Sequence, residues 1–241
     1  MEYAGICDIG KKRSINQDAI LMEANDNIGL FVVADGMGGH SNGELASQCI
    51  VTELTKWWID FSEEKYENDF ARMMYSIQQR VEEINNIIYK KYNQNAVCGS
   101  TVVILFIYKT QFGIIYIGDS RVYQYKCRKF KQLSRDDVWE NQVGLSIQEK
   151  RLKWKTHQGK LINAVGTNRN ISYHVITNEY EAGMLFLLCS DGLYKFCDDK
   201  QLKYWMKKGK KVKDIKLLCE ELRNIVYKNG ADDNVSIIFI R

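Results

Sequence analysis

Four aspartates lie at the edges of apolar, strand-like runs, and they are Asp35, Asp119, Asp191 and Asp233. Singly, such residues are typical of turns and helix caps. A rigid sheet can aim several of them at one point, where they repel one another unless a cation lies between them. Oxygen ligands without histidine or cysteine favour hard ions, so magnesium or manganese is predicted at this point.

The stretch VVADGMGGH at 32–40 leads from a predicted strand into three glycines and a histidine. A tight turn is the simpler interpretation, because glycine accepts backbone angles that other residues avoid. The glycines also keep the backbone slim, so the carbonyl of Gly36 could reach an ion beside Asp35.

The segment 8–18 adds a guanidinium at Arg13 and a fifth carboxylate at Asp18. Arg13 presents paired, planar donors that match two phosphate oxygens. The alternative is an exposed loop arginine without a binding role.

Eight motifs together resemble the metal-dependent serine/threonine protein phosphatases of type 2C, especially their bacterial branch. They span nearly the whole chain and occur in the family's order, although each is weak alone. The motifs are R-x-x-N-Q-D at 13–18, ADGMGGH-x-x-GE-x-AS at 34–47, GST at 99–101, IGDSR at 117–121, LSRD at 133–136, AVGT at 164–167, CSDGL at 189–193 and DDNVS at 232–236.

The resemblance implies a centre of two metal ions, manganese or magnesium, at one end of a β-sandwich. By position, Asp35 would bridge the two ions and Gly36 would offer its carbonyl oxygen. Asp191 and Asp233 would complete the first site. Asp18 would hold the second ion through water.

The resemblance further implies a third, weaker metal site at Asp119 and Asp191, and a phosphoryl-binding role for Arg13. Two cations roughly 4 Å apart lower the pKa of a bridging water, so a hydroxide can attack phosphorus in line. The leaving seryl or threonyl oxygen then needs a proton. His40 is one candidate acid and a metal-bound water is the other.

The chain departs from the family's pattern at two places. Gln17 stands where some relatives carry a metal-binding glutamate. The polar segment 134–170, predicted to be a mobile flap, reads DDVW after LSR where many relatives have Asp-His-Ser, and it lacks their proline.

The order of the predicted elements indicates an α+β fold. Strands come first, a helix pair follows, more strands return, and helices and a strand close the chain, which is not the alternation of a parallel sheet. Two antiparallel sheets packed face to face with helices outside are expected, a four-layer αββα sandwich in one domain over 1–241. Strands are predicted at 3–8, 19–24, 28–35, 100–108, 112–118, 122–127, 171–177, 184–190 and 235–240, and helices at 45–61, 70–88, 199–208 and 212–227.

Composition narrows the class of protein. The 241 residues include 34 Lys and Arg against 30 Asp and Glu, and a formal charge of +4 is too mild to imply a nucleic-acid partner. Seven cysteines without a C-x-x-C pair predict a reducing cytoplasm, with neither a disulfide framework nor a zinc site. No signal peptide or membrane-spanning run is expected.

Three alternatives to a phosphatase of this type are open to a chain with this sequence. The first is an inactive phosphatase fold that binds phosphoproteins as a scaffold, which should have lost metal ligands. The second is another phosphatase class, but the His-Cys-x5-Arg loop is absent and three histidines are too few for a His-rich centre. The third is a non-enzymatic interaction domain. Phosphorylated Ser/Thr proteins and a cognate Ser/Thr kinase are the expected partners of the phosphatase, and a monomer is the expected state.

Overall fold

The computed structural model of the chain describes residues 1–38, 42–93, 97–142 and 144–241. The strands are β1 (Tyr3–Asp8), β2 (Asp18–Ala24), β3 (Ile28–Gly38), β4 (Cys98–Ser100), β5 (Val102–Tyr108), β6 (Gln111–Ile117), β7 (Arg121–Lys126), β8 (Lys129–Gln132), β9 (His174–Glu179), β10 (Leu185–Cys189) and β11 (Val235–Ile240). The helices are α1 (Asn42–Ile59), α2 (Phe70–Tyr92), α3 (Ile147–His157), α4 (Asp191–Tyr194), α5 (Asp199–Gly209) and α6 (Lys216–Lys228).

The strands form two antiparallel sheets. One has the order β1-β11-β10-β7-β8, and the other has the order β2-β3-β5-β6-β9, with β4 pairing to β3. The inner strand β5 of the second sheet is buried along its whole length, so both of its faces are covered. Such strands need a covering layer on each side.

Three apolar clusters fill the spaces between layers. One lies between the two sheets and contains Phe31, Phe112 and Phe186. A second joins the β2-β3-β5-β6-β9 sheet to α1 and α2, and the third joins the other sheet to α4, α5 and α6. The predicted α+β fold, with two antiparallel sheets between helical layers, is confirmed. No helix in the described ranges has both the length and the apolar character needed to cross a membrane.

Several local predictions differ from the structure. The strand expected over 100–108 is divided in two. Ser100 is the last residue of β4 and pairs with Gly36 of β3, whereas Val102 begins β5. The strand β8 and the helix α4 were not predicted, since each has only four residues. The helix α3 lies inside the segment expected to be a flap. It starts with a capping box between Ser146 and Glu149. The polar sequence of this segment did not lead to the prediction of a helix.

Candidate metal centre

The hairpin of β2 and β3 places two of the predicted carboxylates side by side. Asp18, the first residue of β2, is directly opposite Asp35 of β3. The backbone of Asp35 is held on its other side by Thr101, whose Oγ1 accepts from the Asp35 N–H at 3.2 Å and whose N–H donates to the Asp35 carbonyl at 2.9 Å. Asp35 is therefore fixed by both neighbouring segments.

The remaining carboxylates arrive from the other sheet and from the link between the sheets. Asp119 lies between β6 and β7, Asp191 follows β10, and Asp233 precedes β11. The hydroxyls of Thr101 and Ser120 are 2.7 Å apart and join the support of Asp35 to the turn that carries Asp119. Ends of strands from both sheets thus converge on one place.

Asp18 is the most buried of the five carboxylates, with 3% of its surface exposed. Its Oδ2 accepts a hydrogen bond from the Ser190 hydroxyl at 2.7 Å. Its Oδ1 is buried and has no hydrogen-bond partner among the described residues. An unsatisfied buried carboxylate oxygen is costly, so this atom marks a place for a proton or a cation.

The pKa values of three carboxyl groups in the cluster are raised, because burial and neighbouring carboxylates disfavour their charged forms. Burial, with Asp191 and Asp233 nearby, raises the pKa of Asp18 to about 7 despite the hydrogen bonds that oppose this shift. Burial raises the pKa of Asp35 well above its usual value, and Asp18, Asp191, Asp119 and Asp233 all add to this effect. Burial and Asp191 raise the pKa of Asp119 to about 6. All five carboxylates therefore interact around Asp35, and their mutual repulsion favours protonation or the binding of a cation.

Two cationic side chains already lie in this cluster. Arg13 holds Asp233 with both ends of its guanidinium, Nε to Oδ1 at 2.8 Å and Nη2 to Oδ2 at 2.9 Å. Lys195 forms an ion pair with Oδ2 of Asp191. These pairs engage oxygens that the resemblance predicted to be metal ligands, so the two cationic side chains would compete with ions for Asp191 and Asp233.

Asn234 supports the site, although no pattern in the sequence marks this role. Its side chain is buried and holds the loop between β1 and β2: Oδ1 accepts from the Gln17 N–H at 2.9 Å, and Nδ2 donates to the carbonyls of Ile9 and Ile15 at 2.9 and 3.1 Å. This loop carries Arg13. The asparagine of the motif DDNVS can make these bonds because its amide both donates and accepts.

Gly36 is required by a close approach of backbones. A Cβ atom at this position would lie 2.1 Å from the carbonyl oxygen of Gly43 in α1, a clash with backbone that cannot relax cheaply. The Gly36 N–H donates to the Gln17 carbonyl at 3.0 Å. The predicted slim backbone beside Asp35 is thus present, and it lets α1 begin directly against β3.

His40, the candidate acid, lies outside the described residues, whereas His174 lies within them. His174 places Nε2 2.8 Å from Oδ1 of Asp137, and the other oxygen of Asp137 accepts from the Gly118 N–H at 3.1 Å. His174 therefore contacts the segment that supports Asp119 without contacting Asp119 itself.

The donor set fits divalent ions in chemistry and in charge. It consists of carboxylate oxygens, one of them buried without a partner, and carries five acidic groups against two cationic ones. Hard ions such as magnesium and manganese prefer these ligands. Within the described residues, no three acidic, cysteine or histidine side chains are arranged to enclose one ion as they stand. An ion at Asp233 would compete with Arg13 for the oxygens of this carboxylate.

The profile of one protein family, protein phosphatase 2C, matches residues 10–215 of the chain. The chain belongs to this family. The family and the enzyme class predicted from the eight motifs, a protein serine/threonine phosphatase, are thereby confirmed.

Named relatives agree with the family assignment. The chain is similar to the protein phosphatase PhpP of Streptococcus pneumoniae, with 26% identity over all of this chain and 97% of that protein. It is also similar to the serine/threonine protein phosphatase PstP of Mycobacterium tuberculosis, with 26% identity over 99% of this chain but only 44% of the longer protein.

Solved structures of phosphatase 2C proteins share the fold. PppA, a regulatory component of a secretion system in Pseudomonas aeruginosa, has a TM-score of 0.82 and 26% identity, covering 100% of this chain and 96% of the other. The catalytic domain of PstP in complex with two manganese ions has a TM-score of 0.78 at 23% identity, covering 99% of this chain and 96% of the other.

Proposed function

We propose that this phosphatase hydrolyses phosphoserine and phosphothreonine in proteins with two divalent ions, manganese or magnesium. Asp35 would bridge the ions, the Gly36 carbonyl would add a ligand, and Asp191 and Asp233 would complete one site. Asp18 would serve the second ion. The observation that carries this proposal is the cluster of five carboxylates around Asp35, whose buried member Asp18 has an oxygen without a hydrogen-bond partner.

The ions, when bound, would supply an activated water that attacks phosphorus. The residues of the chain then have separate tasks. Ser190 orients Asp18 through the bond to its Oδ2, and Thr101 keeps the Asp35 backbone in place. These rigid supports hold the carboxylates so that ligand positions are set before substrate arrives.

Arg13 would bind the phosphoryl group, and this task requires its release from Asp233. The same paired nitrogens that now hold the carboxylate match two phosphoryl oxygens. An ion at Asp233 would take over the neutralisation of that carboxylate and set Arg13 free. Ion binding and phosphate binding are coupled in this way.

Replacement of Arg13 with alanine is expected to raise KM for a phosphothreonine peptide by roughly tenfold or more, with a smaller effect on kcat, because ground-state binding is lost. Steady-state kinetics with saturating manganese would measure both constants. Lys12→Ala is the matched control, since Lys12 is the adjacent exposed cation and pairs with Asp232 rather than Asp233. A normal KM in Arg13→Ala would remove the phosphate-binding role.

The proposed reaction is tested with purified protein and a phosphothreonine peptide. Phosphate release is expected with manganese, to stop in EDTA, and to return when excess manganese is added back. Full activity in EDTA would contradict metal-dependent hydrolysis. An inactive protein that still binds the phosphopeptide would favour the alternative of a scaffold, which the named phosphatase relatives do not support.

Four further predictions belong to this proposal. His40 is proposed to donate the proton to the leaving oxygen. The segment 134–170 is proposed to act as a flap within a single domain over 1–241. A cognate Ser/Thr kinase and its substrates are the proposed partners. The protein is proposed to act as a monomer in the cytoplasm.

A further inference from the structure

Lys195 places an ammonium group among the acidic residues of the candidate site. It lies four residues after Asp191, one helical turn away, so the two side chains are on the same face and form an ion pair. The carboxylates of Asp233 and Asp119 also attract this ammonium. Lys195 is 53% exposed at its side chain, whereas its partner Asp191 is only 15% exposed.

The carboxylate oxygens on this side of the site are partly occupied. Oδ2 of Asp191 is bonded to Lys195, and Oδ2 of Asp119 accepts from the Tyr194 hydroxyl at 3.3 Å. Within the described residues, Oδ1 of Asp191 and Oδ1 of Asp119 accept no hydrogen bond. Asp191 can therefore offer one oxygen to an ion beside Asp35, but a further ion at Asp191 would have to compete with the Lys195 amine for Oδ2.

The segment that carries Lys195 is held in place. The Tyr194 ring lies under the guanidinium of Arg121, 3.5 Å from its centroid, and Arg121 is itself paired with Asp136. A Cβ atom on Gly192 would be 1.9 Å from the Asn234 carbonyl oxygen, so the short helix α4 is pressed against the start of β11. Lys195 thus starts from a fixed backbone beside Asp191.

The net charge of the site also disfavours a third ion. The five carboxylates exceed the two cationic side chains, Arg13 and Lys195, by three charges. Two divalent ions more than neutralise this excess. A third would be repelled by them and by the ammonium in contact with Asp191.

We propose that Lys195 is a built-in cation on the side of Asp191 and Asp119, and that it disfavours a divalent ion at the place where the sequence resemblance predicted a third one. This chain would accordingly hold two ions and use the Lys195 ammonium in place of the third. The inference rests on the metal centre proposed above.

Manganese binding separates this inference from the function itself. The purified full chain would be titrated with manganese alone, and calorimetry or the EPR signal of free manganese would give the number and affinity of bound ions. The wild type is expected to bind two ions. Lys195→Met, which keeps the length of the side chain but removes its charge, is expected to bind a third ion at least tenfold more tightly than the wild type does.

Three further variants locate the effect. Lys195→Arg retains the charge and should behave as the wild type. Lys200→Met, on the exposed surface of α5, should have no effect. The double variant Lys195→Met with Asp119→Asn should lose the added ion. Circular dichroism would verify folding, and Lys195→Gln would serve if the methionine variant does not fold.

Two results would overturn the inference. If Lys195→Met binds the same number of ions as the wild type with the same dissociation constants, Lys195 does not act as a cation in the site, although the metal centre stands. If neither protein binds manganese, the metal centre and this inference fail together.

Discussion

Asp35→Asn is expected to lower kcat by a factor of roughly 10²–10³ or more, because this residue is the point on which all the other carboxylates converge. The substitution keeps the shape of the side chain, and the backbone bonds to Thr101 do not depend on its charge. The loss should therefore come from weakened ion binding and lost charge, not from unfolding. Phosphopeptide turnover at saturating manganese would measure it, together with the dissociation constant for manganese.

The stability of the metal-stripped variant gives an independent check. Burial and four neighbouring carboxylates disfavour the charged form of Asp35, so a neutral asparagine should leave the metal-free protein at least as stable as the wild type near neutral pH. Activity and metal-free stability would then change in opposite directions. Asp26→Asn is the matched control, since Asp26 is exposed in the turn at the far end of the same hairpin. A variant of Asp35 with normal turnover would refute its assignment as a ligand.

The carboxylates that activity requires lower the stability of the metal-free protein, and this conflict accounts for the rigid elements around the site. The carboxylates repel one another, and only rigid elements can keep them together without an ion. The hairpin of β2 and β3, the bond from Ser190 to Asp18 and the side chain of Asn234 provide that rigidity from both sheets. The cationic partners Arg13 and Lys195 neutralise part of the charge when ions are absent.

Much of the fold could be predicted because its signals are local. The strands β1 and β11 begin and end at the predicted residues, since each is a short apolar run bounded by turn-forming residues. The helix α2 has apolar residues at helical spacing and was predicted with its correct start at Phe70. The helix α3 was not predicted because its surface is polar on nearly every face, and only its capping box marks it.

The candidate site divides in the same way. The four aspartates at strand edges could be predicted as candidates because the residues next to each one are informative, a strand on one side and a glycine or turn on the other. The ion pair of Arg13 with Asp233 joins residues 220 positions apart, and no local pattern predicts it. Lys195 is a different case, since its spacing from Asp191 was visible, but a lysine at that spacing is common on helices and usually carries no function.

The pH dependence of metal-free stability is the second prediction with a large expected effect. Asp18 has a folded pKa of about 7 against an ordinary value near 3.9 in the unfolded chain, and Asp119 is raised to about 6. Between these values the folded state binds more protons than the unfolded state. Stability should therefore be highest below about pH 4 as far as these groups are concerned, and should fall as the pH rises through 6 and 7.

Denaturant unfolding of EDTA-treated protein at pH 5 and pH 7.5 would measure this slope. The loss from Asp18 is expected to be on the order of a few kcal/mol, since one pKa unit corresponds to about 1.4 kcal/mol. Asp18→Asn should flatten the slope, and Asp26→Asn should leave it unchanged. With manganese bound the trend should reverse, because ions bind the deprotonated carboxylates and stabilise the folded state more at higher pH. Equal stability of the metal-free wild type at both pH values would show that the pKa of Asp18 is not raised in the folded protein.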